Sequence, residues 1–562
     1  MHRLLARGAF ALLAISLAAC ASFASPDAAI GEDCSFRNPV ISGFAPDPSI
    51  VRVGDDFYLV TSSFEYFPAL PIYHSTDLVN WTLISHALPD SNNLRLSTLD
   101  SSRGIHAATI RHHNGLFYVV STNIADQKPE SFVVTASDPR GPWSDAMVIK
   151  DAVGIDPALF FDDDGRAWYT ANWAAPDPEF PGQALIWIQE FNLDTLQLIG
   201  ERRFVWSGCC RGVWAEGPRI YKRGGKYYLM ISEGGTSFEH AVSIAVSDHV
   251  QGPYEGNPRN PILTHRQLSF DHPITGVGHA DLVELADGRW YGVALGWRLL
   301  DGEHGMLGRE TFLFPVTWET EREWWKDDKK TFPVMSPASG KVDASYPMPF
   351  KGAIQRDNLS FVDDFDHGTL SPHWNFRRPP AAPFYELRPS QGALRLNLKP
   401  TSIAENERYA FMGVRQTSVH FEAETEMRFS TELENEEAGL VVMQNDRAAL
   451  TFTINGDAER RYAILSKWLY GERTELARTI VDGDDLRLRV SGDRLDYSFY
   501  VAGDDDIWFR VGEIVDARFL SPAVLRGFNY TGLYVGLYGS SNGLPSDAYA
   551  DFSRFSYSPQ TE

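Results

Sequence analysis

A chain of 562 residues is too long for one hydrophobic core and predicts two or more domains. Its apolar fraction of 43% and charged fraction of 22% are those of an ordinary globular protein. A formal charge of −23 with no Lys/Arg cluster excludes nucleic acid and anionic membrane surfaces as partners. Aromatic residues reach 13%, with 15 Trp. Such rings stack on sugars or fill cores, and composition does not choose between the two.

The N-terminus carries Arg3 and Arg7, then an apolar run from Phe10 to Ala19 that is too short to span a bilayer. Residues 1–25 are expected to be a secretory signal peptide. Leu17-Ala18-Ala19-Cys20 resembles a bacterial lipobox, which would make Cys20 a lipidated N-terminus. Ordinary cleavage near Ala21–Ser25 is the competing reading. Both place the mature protein outside the cytoplasm, secreted, periplasmic or on an outer membrane, with membrane contact only through the lipid anchor. Three further cysteines, Cys34, Cys209 and Cys210, do not have zinc spacing. In an oxidising compartment Cys209 and Cys210 are either a vicinal disulfide, a rigid lip six residues before Glu216, or two free thiols.

From residue 36 to 320 a turn followed by an aromatic strand recurs five times: at Asp55-Asp56-Phe57-Tyr58, Asn114-Gly115-Leu116-Phe117-Tyr118, Asp164-Gly165-Arg166-Ala167-Trp168-Tyr169, Gly224-Gly225-Lys226-Tyr227-Tyr228 and Asp287-Gly288-Arg289-Trp290-Tyr291. The intervals are 59, 50, 60 and 63 residues. Turns of this composition between extended runs are hairpins, and five such units predict a five-bladed β-propeller. Eight residues before each turn stand Asp47, His106, Asp156, Glu216 and His279. Asp, Glu and His make up 89 of the 562 residues, so an ionisable group at all five positions is not expected by chance. Equivalent positions of propeller blades surround one axis, so the phase predicts three carboxylates and two imidazoles around one pocket.

Residues 321–358 are charged and then rich in Pro, Ser and Gly, as in a linker. Residues 359–562 predict an antiparallel β-sandwich, because stretches such as Leu486–Val490 and Ala449–Ile454 alternate with period two. No long amphipathic helix is predicted in the mature chain.

Three converging carboxylates suit glycoside hydrolysis: one activates water or attacks carbon, a second protonates the leaving oxygen, and a third keeps that acid protonated. Asp47 lies between two prolines that stiffen its backbone. Glu216, beside Trp214 and before Gly217-Pro218, is the candidate acid.

Pro46-Asp47-Pro48, Gly154-Ile155-Asp156-Pro157 and Glu216-Gly217-Pro218, in this order on five repeats, resemble the three-acid signature of glycoside hydrolase family 43. Thr61–Pro68 resembles that family's β-xylosidase-type loop, and Asp363-Asp364-Phe365 resembles the opening of its appended concanavalin-like sandwich. The resemblance covers nearly all of the mature chain. It implies an inverting mechanism with Asp47 as general base, Glu216 as general acid and Asp156 orienting the acid and raising its pKa. It also implies that Arg309, in Leu307-Gly308-Arg309-Glu310-Thr311, contacts sugar hydroxyls and the acids; a structural ion pair is the alternative. His279 matches a central histidine that holds water or a metal ion in some members, or is a satisfied structural residue. Where many relatives carry Trp-Ala-Pro, this chain has Ile105-His106-Ala107-Ala108, so His106 either contacts sugar or acts as a spacer. Phe64 walls the sugar site or packs the core. The sandwich is expected to close the pocket with a loop, for which Gly539–Gly543 is the candidate.

The activity so implied is exo-hydrolysis of β-1,4-linked xylose from the non-reducing ends of xylo-oligosaccharides. Release of α-L-arabinofuranose from arabinoxylan or arabinan is the alternative within the class. A non-catalytic surface glycan-binding lipoprotein is the alternative outside it. A retaining fructan hydrolase is disfavoured because Pro46, not Asn, precedes Asp47. No cofactor is required, and no Asp-x-Asp-x-Asp loop demands calcium, which stays open. The oligomeric state is not readable.

Overall fold

A computed structural model describes residues 35–560 except 90–93, 95, 97–99, 126–127, 320–329, 358–359, 406–407, 432, 458, 504–506 and 528. The predicted signal peptide, Cys20 and Cys34 lie outside the described residues. The described chain is almost wholly β, and its only helical segments are the short 3₁₀ turns Pro389–Gln391 and Ala517–Leu520. None of its helices is long and apolar enough to cross a membrane.

Each sequence repeat forms one antiparallel sheet. The first runs Ser49–Val53, Asp56–Val60, Ala69–Ser75, Thr82–Leu88, and the third Ala158–Phe161, Ala167–Ala174, Ala184–Asn192, Gln197–Trp206. Asn114 and Gly115 both have positive φ, the backbone that a two-residue hairpin turn requires. The first strands of the five sheets are Ser49–Val53, Thr109–His113, Ala158–Phe161, Glu216–Arg223 and Ile274–Glu284. Each packs against the next and the last against the first, so the sheets close into a ring. At its axis the fully buried Asp281 carboxylate accepts from Ser49 Oγ (2.7 Å), Arg111 Nη1 (2.9 Å) and Tyr221 Oη (2.7 Å), joining the first strands of four sheets. A buried carboxylate persists only when so fully paired.

Two stretches depart from the linker expected over 321–358. Pro333–Met335 is the outer strand of the fifth sheet, and Ser345–Pro347 pairs with Ser35–Arg37. Proline is tolerated there because these are edge strands. Residues 320–329 lie outside the described set.

The C-terminal part is a sandwich of a nine-stranded and a six-stranded sheet. Asp485–Asp493 alternates buried and exposed as its sequence predicts, whereas Ala448–Gly456 is buried on both faces. The alternation expected at Ala449–Ile454 fails because the outer face of the six-stranded sheet is covered by the propeller. Val441, Met443, Ala449, Trp468, Tyr534 and Tyr538 share one apolar cluster with Phe44, Phe64 and Tyr66. Tyr66 stacks on Tyr534 with ring centroids 3.8 Å apart, and Tyr66–Phe67 pairs with Phe376–Arg377. This interface lies directly behind the loops that carry Phe64 and Asp47.

Candidate active site

Ring closure brings all five phase-matched residues to one cavity. Asp47, His106, Asp156, Glu216 and His279 line a pocket of about 410 Å³ together with Phe64 and Arg309. Asp47, Asp156 and His279 have positive φ values of 54°, 55° and 47°. Such backbone is costly outside glycine; Asp47 and Asp156 adopt it two residues before Ser49–Val53 and Ala158–Phe161, and His279 adopts it within Ile274–Glu284.

Asp47 is buried and firmly held. Its Oδ1 accepts from Arg309 Nη1 (3.2 Å), its Oδ2 from Ser62 Oγ (2.5 Å), and His279 Nδ1 lies 3.5 Å from Oδ1. Burial alone would raise its pKa, but the Arg309 guanidinium and the Ser62 hydroxyl outweigh that and hold it below the usual carboxylate value. Asp47 is therefore ionised at neutral pH.

Asp156, Glu216 and His279 each offer an atom within 4.8 Å of the others. Burial and the nearby Asp47 charge push Asp156 up to about 7. Burial, then Asp156 and Asp47, hold Glu216 well above the usual carboxyl range and so favour its protonated form. Gly217, next to Glu216, lets this cluster close up: a Cβ there would lie 2.9 Å from His279 Nε2.

The other expected residues fall as follows. Arg309 is buried and also donates to Thr236 Oγ1 (2.9 Å) and to the Tyr530 carbonyl (3.4 Å), so it is both an ion pair and a pocket wall. Phe64 is likewise both: it lines the pocket, packs against Phe44 and lies 5.4 Å from Tyr530 between ring centroids. The His106 ring meets Phe64 edge-on at 4.8 Å, and its Nδ1 donates to the Gly104 carbonyl (3.1 Å). Burial lowers His106 to about 4 and His279 to about 3, so both imidazoles are neutral.

Sequence reasoning missed Ser62, Arg103, Thr236 and Tyr530. Tyr530 comes from the sandwich and is seated by its N–H donating to Ser102 Oγ (2.8 Å). The sandwich residues that reach the pocket are therefore Arg447, Gly527 and Tyr530, not Gly539–Gly543. The latter is turned away: Ser541 N donates to the Lys399 carbonyl and Asn542 Nδ2 to the Asn435 carbonyl. Nothing periodic in the sequence marks Tyr530, because only the domain interface delivers it.

A second chamber of about 1180 Å³ adjoins the first and shares Glu216, Thr236 and Tyr530 with it. Cys209 and Cys210 form a disulfide in the loop beside it, and Cys209 N donates to Glu233 Oε2 (3.1 Å). An ionised carboxylate and a protonated one, facing a small polar pocket at the edge of a wider cleft, can activate water on one side of an acetal and protonate the departing oxygen on the other.

Comparison with known proteins agrees with that chemistry. Residues 36–324 match the family model of glycosyl hydrolases family 43, and residues 362–558 match the beta xylosidase C-terminal concanavalin A-like domain. A xylosidase/arabinosidase of Butyrivibrio fibrisolvens is 38% identical over 92% of this chain and 98% of its own length. A non-reducing end alpha-L-arabinofuranosidase of Bacteroides ovatus is also 38% identical, over 93% and 94%. The solved xylan beta-1,4-xylosidase from Bacillus halodurans superposes with a TM-score of 0.85 at 30% identity, covering 93% of this chain and 99% of that one. The chain belongs to glycosyl hydrolases family 43, with that family's concanavalin-like C-terminal domain, and is a glycoside hydrolase of xylosidase type.

Proposed function

We propose that the protein is an inverting exo-glycosidase that releases β-1,4-linked xylose from the non-reducing ends of xylo-oligosaccharides. Asp47 serves as general base, Glu216 as general acid, and Asp156 positions Glu216 and maintains its proton. The observation that carries this reading is the opposite charge state of two carboxylates in one pocket. Asp47 is held ionised by Arg309 and Ser62, and Glu216 is held protonated by burial and by its acidic neighbours. Glu216 lies where the small pocket meets the large chamber, which is where the oxygen joining the terminal sugar to its leaving group belongs. The small pocket is walled by Phe64, Arg103 and Tyr530, which suits a chain end rather than mid-chain binding.

Release of α-L-arabinofuranose is the second reading, favoured by the name and 38% identity of the Bacteroides ovatus relative. Initial rates on 4-nitrophenyl β-D-xyloside and α-L-arabinofuranoside, measured side by side, decide between them. The xyloside is expected to give the higher kcat/KM, and a higher value for the arabinofuranoside transfers the assignment. NMR of the first-formed sugar is expected to show inversion at the anomeric carbon. Retention would make Asp47 a nucleophile instead.

The reaction needs water, a base and an acid, so we assign it no cofactor. The N-terminal reading, export with or without a lipid on Cys20, stays part of this proposal.

The pH dependence follows from these charge states. Activity needs Asp47 without its proton, so it rises with pH through a value below the ordinary carboxylate range. It needs Glu216 with its proton, so it falls as pH rises through the raised value of that residue. Asp156→Asn removes a negative neighbour and lowers the proton affinity of Glu216. The alkaline limb of kcat/KM is expected to move to lower pH. An unmoved limb would remove Asp156 from that role.

A further inference from the structure

One wall of the sugar pocket is built by the segment 101–107, and several polar groups on the lining are spent within the protein. Ser101 Oγ accepts from Arg377 Nη2 (3.0 Å), and Ser102 Oγ accepts from Tyr530 N (2.8 Å). Arg309 donates to Asp47, Thr236 and the Tyr530 carbonyl. Arg447 donates to the Arg526 carbonyl (2.7 Å) and to Asn529 Oδ1 (3.1 Å). Two groups of the segment are left over: one nitrogen of the His106 ring and the Arg103 guanidinium.

The His106 backbone is tied on both sides. Its N–H donates to the Thr122 carbonyl (2.9 Å), and its carbonyl accepts from Ser121 Oγ (2.8 Å). The ring is held by Nδ1, 3.1 Å from the Gly104 carbonyl. A carbonyl only accepts, so Nδ1 carries the hydrogen. The ring is neutral, and Nε2 therefore presents a lone pair. No described residue donates to that lone pair. His240 Nε2 and His279 Nε2 are sealed in protein without a partner, whereas His106 Nε2 opens on the pocket that its residue lines.

Arg103 is partly buried on the same lining. Its backbone N–H donates to the Asp100 carbonyl (3.1 Å), but its guanidinium has no hydrogen bond or ion pair among the described residues. It lies close enough for its charge to act on the His106 ring and on Tyr530. A fixed acceptor beside a free multiple donor suits a ligand with several hydroxyls, each of which both donates and accepts.

We propose that His106 is a specificity-determining residue of this pocket: its Nε2 accepts a hydrogen bond from one hydroxyl of the terminal sugar, while the Arg103 guanidinium donates to another. The inference rests on the hydrolase reading above, which places the terminal sugar in the small pocket.

The test couples changes in the sugar to changes in the protein. Values of kcat/KM are measured on 4-nitrophenyl β-D-xyloside and on analogues with hydroxyl 2, 3 or 4 replaced by hydrogen or by fluorine. The α-L-arabinofuranoside and its analogues at hydroxyls 2, 3 and 5 are run in parallel. Fluorine accepts a hydrogen bond weakly and donates none. In the wild type one hydroxyl is expected to cost about tenfold or more when replaced by either atom. His106→Phe keeps a ring but loses the lone pair. In it the parent glycoside is expected to fall about tenfold, and the penalty at that one hydroxyl to shrink below about threefold. His106→Gln, whose side-chain carbonyl accepts, is expected to recover part of the penalty. Arg103→Met is expected to relieve the penalty at a different hydroxyl, one where fluorine is tolerated better than hydrogen. The effect of fluorine on bond cleavage itself is common to all these proteins and cancels in the comparison. A wild type that tolerates both replacements at every hydroxyl within about threefold overturns the inference without any variant. Penalties unchanged in both His106 variants overturn the role of His106 and leave it a spacer. Cleavage of neither parent glycoside overturns the function above together with this inference, and cleavage without coupling to His106 overturns the inference alone.

Discussion

Glu216→Ala is expected to lower kcat on xylobiose on the order of 10³-fold while sparing substrates whose leaving group needs no proton. The reason lies in what Glu216 is asked to do. A sugar alcohol departs only if its oxygen is protonated as the bond breaks, and burial, Asp156 and Asp47 disfavour the charged form of Glu216 and so favour the acid that supplies the proton. A 2,4-dinitrophenolate departs as a stable anion, so the variant is expected to retain most of its rate on the dinitrophenyl xyloside. The ratio of the two losses is the informative quantity. Equal loss on both substrates would mean that Glu216 acts on binding or on folding, not as the acid.

Asp47→Asn is expected to abolish turnover on every substrate, on the order of 10³-fold or more, whatever the leaving group. Water attack needs the base in each case, and an amide does not accept the proton. The pocket that keeps Asp47 ionised also makes the substitution structurally costly. Arg309 is buried and its Nη1 donates to Asp47 Oδ1. Removing that charge leaves a buried guanidinium without its carboxylate, a change worth roughly 3–5 kcal/mol in comparable buried pairs. The activity loss is therefore read beside Tm and at a temperature where the variant is folded. A folded Asp47→Asn protein with more than a tenth of wild-type activity on the dinitrophenyl xyloside would remove Asp47 from the role of base.

The sandwich takes part in the site more directly than its sequence suggests. Arg377 and Arg378 pair with Asp446, and Arg377 also donates to Ser101 Oγ (3.0 Å). Glu65 Oε2 accepts from Ser102 N (2.9 Å), so this buried network fixes the loop on which Tyr530 rests. The domain that looks like an appendage thus supplies one wall of the sugar pocket.

Features that recur at short range were legible in the sequence. The five turns and aromatic strands are local, and hairpin chemistry is written in adjacent residues such as Asn114-Gly115 and Gly224-Gly225. Because Asp47, His106, Asp156, Glu216 and His279 stand at the same distance before the five hairpin turns, the sequence places them around one axis, and all five line one pocket. Only tertiary structure decided what meets that pocket from elsewhere. Tyr530 arrives across the domain interface, Thr236 arrives from the loop after the second strand of its sheet, and the outer face of the six-stranded sheet is buried by the propeller instead of facing water. The charge states of the acids were likewise decided there, since burial and the distance from Asp47 to Arg309 have no counterpart in local sequence. Periodicity records how a chain pairs with its neighbours in sequence, whereas packing between distant segments leaves no repeating trace in it.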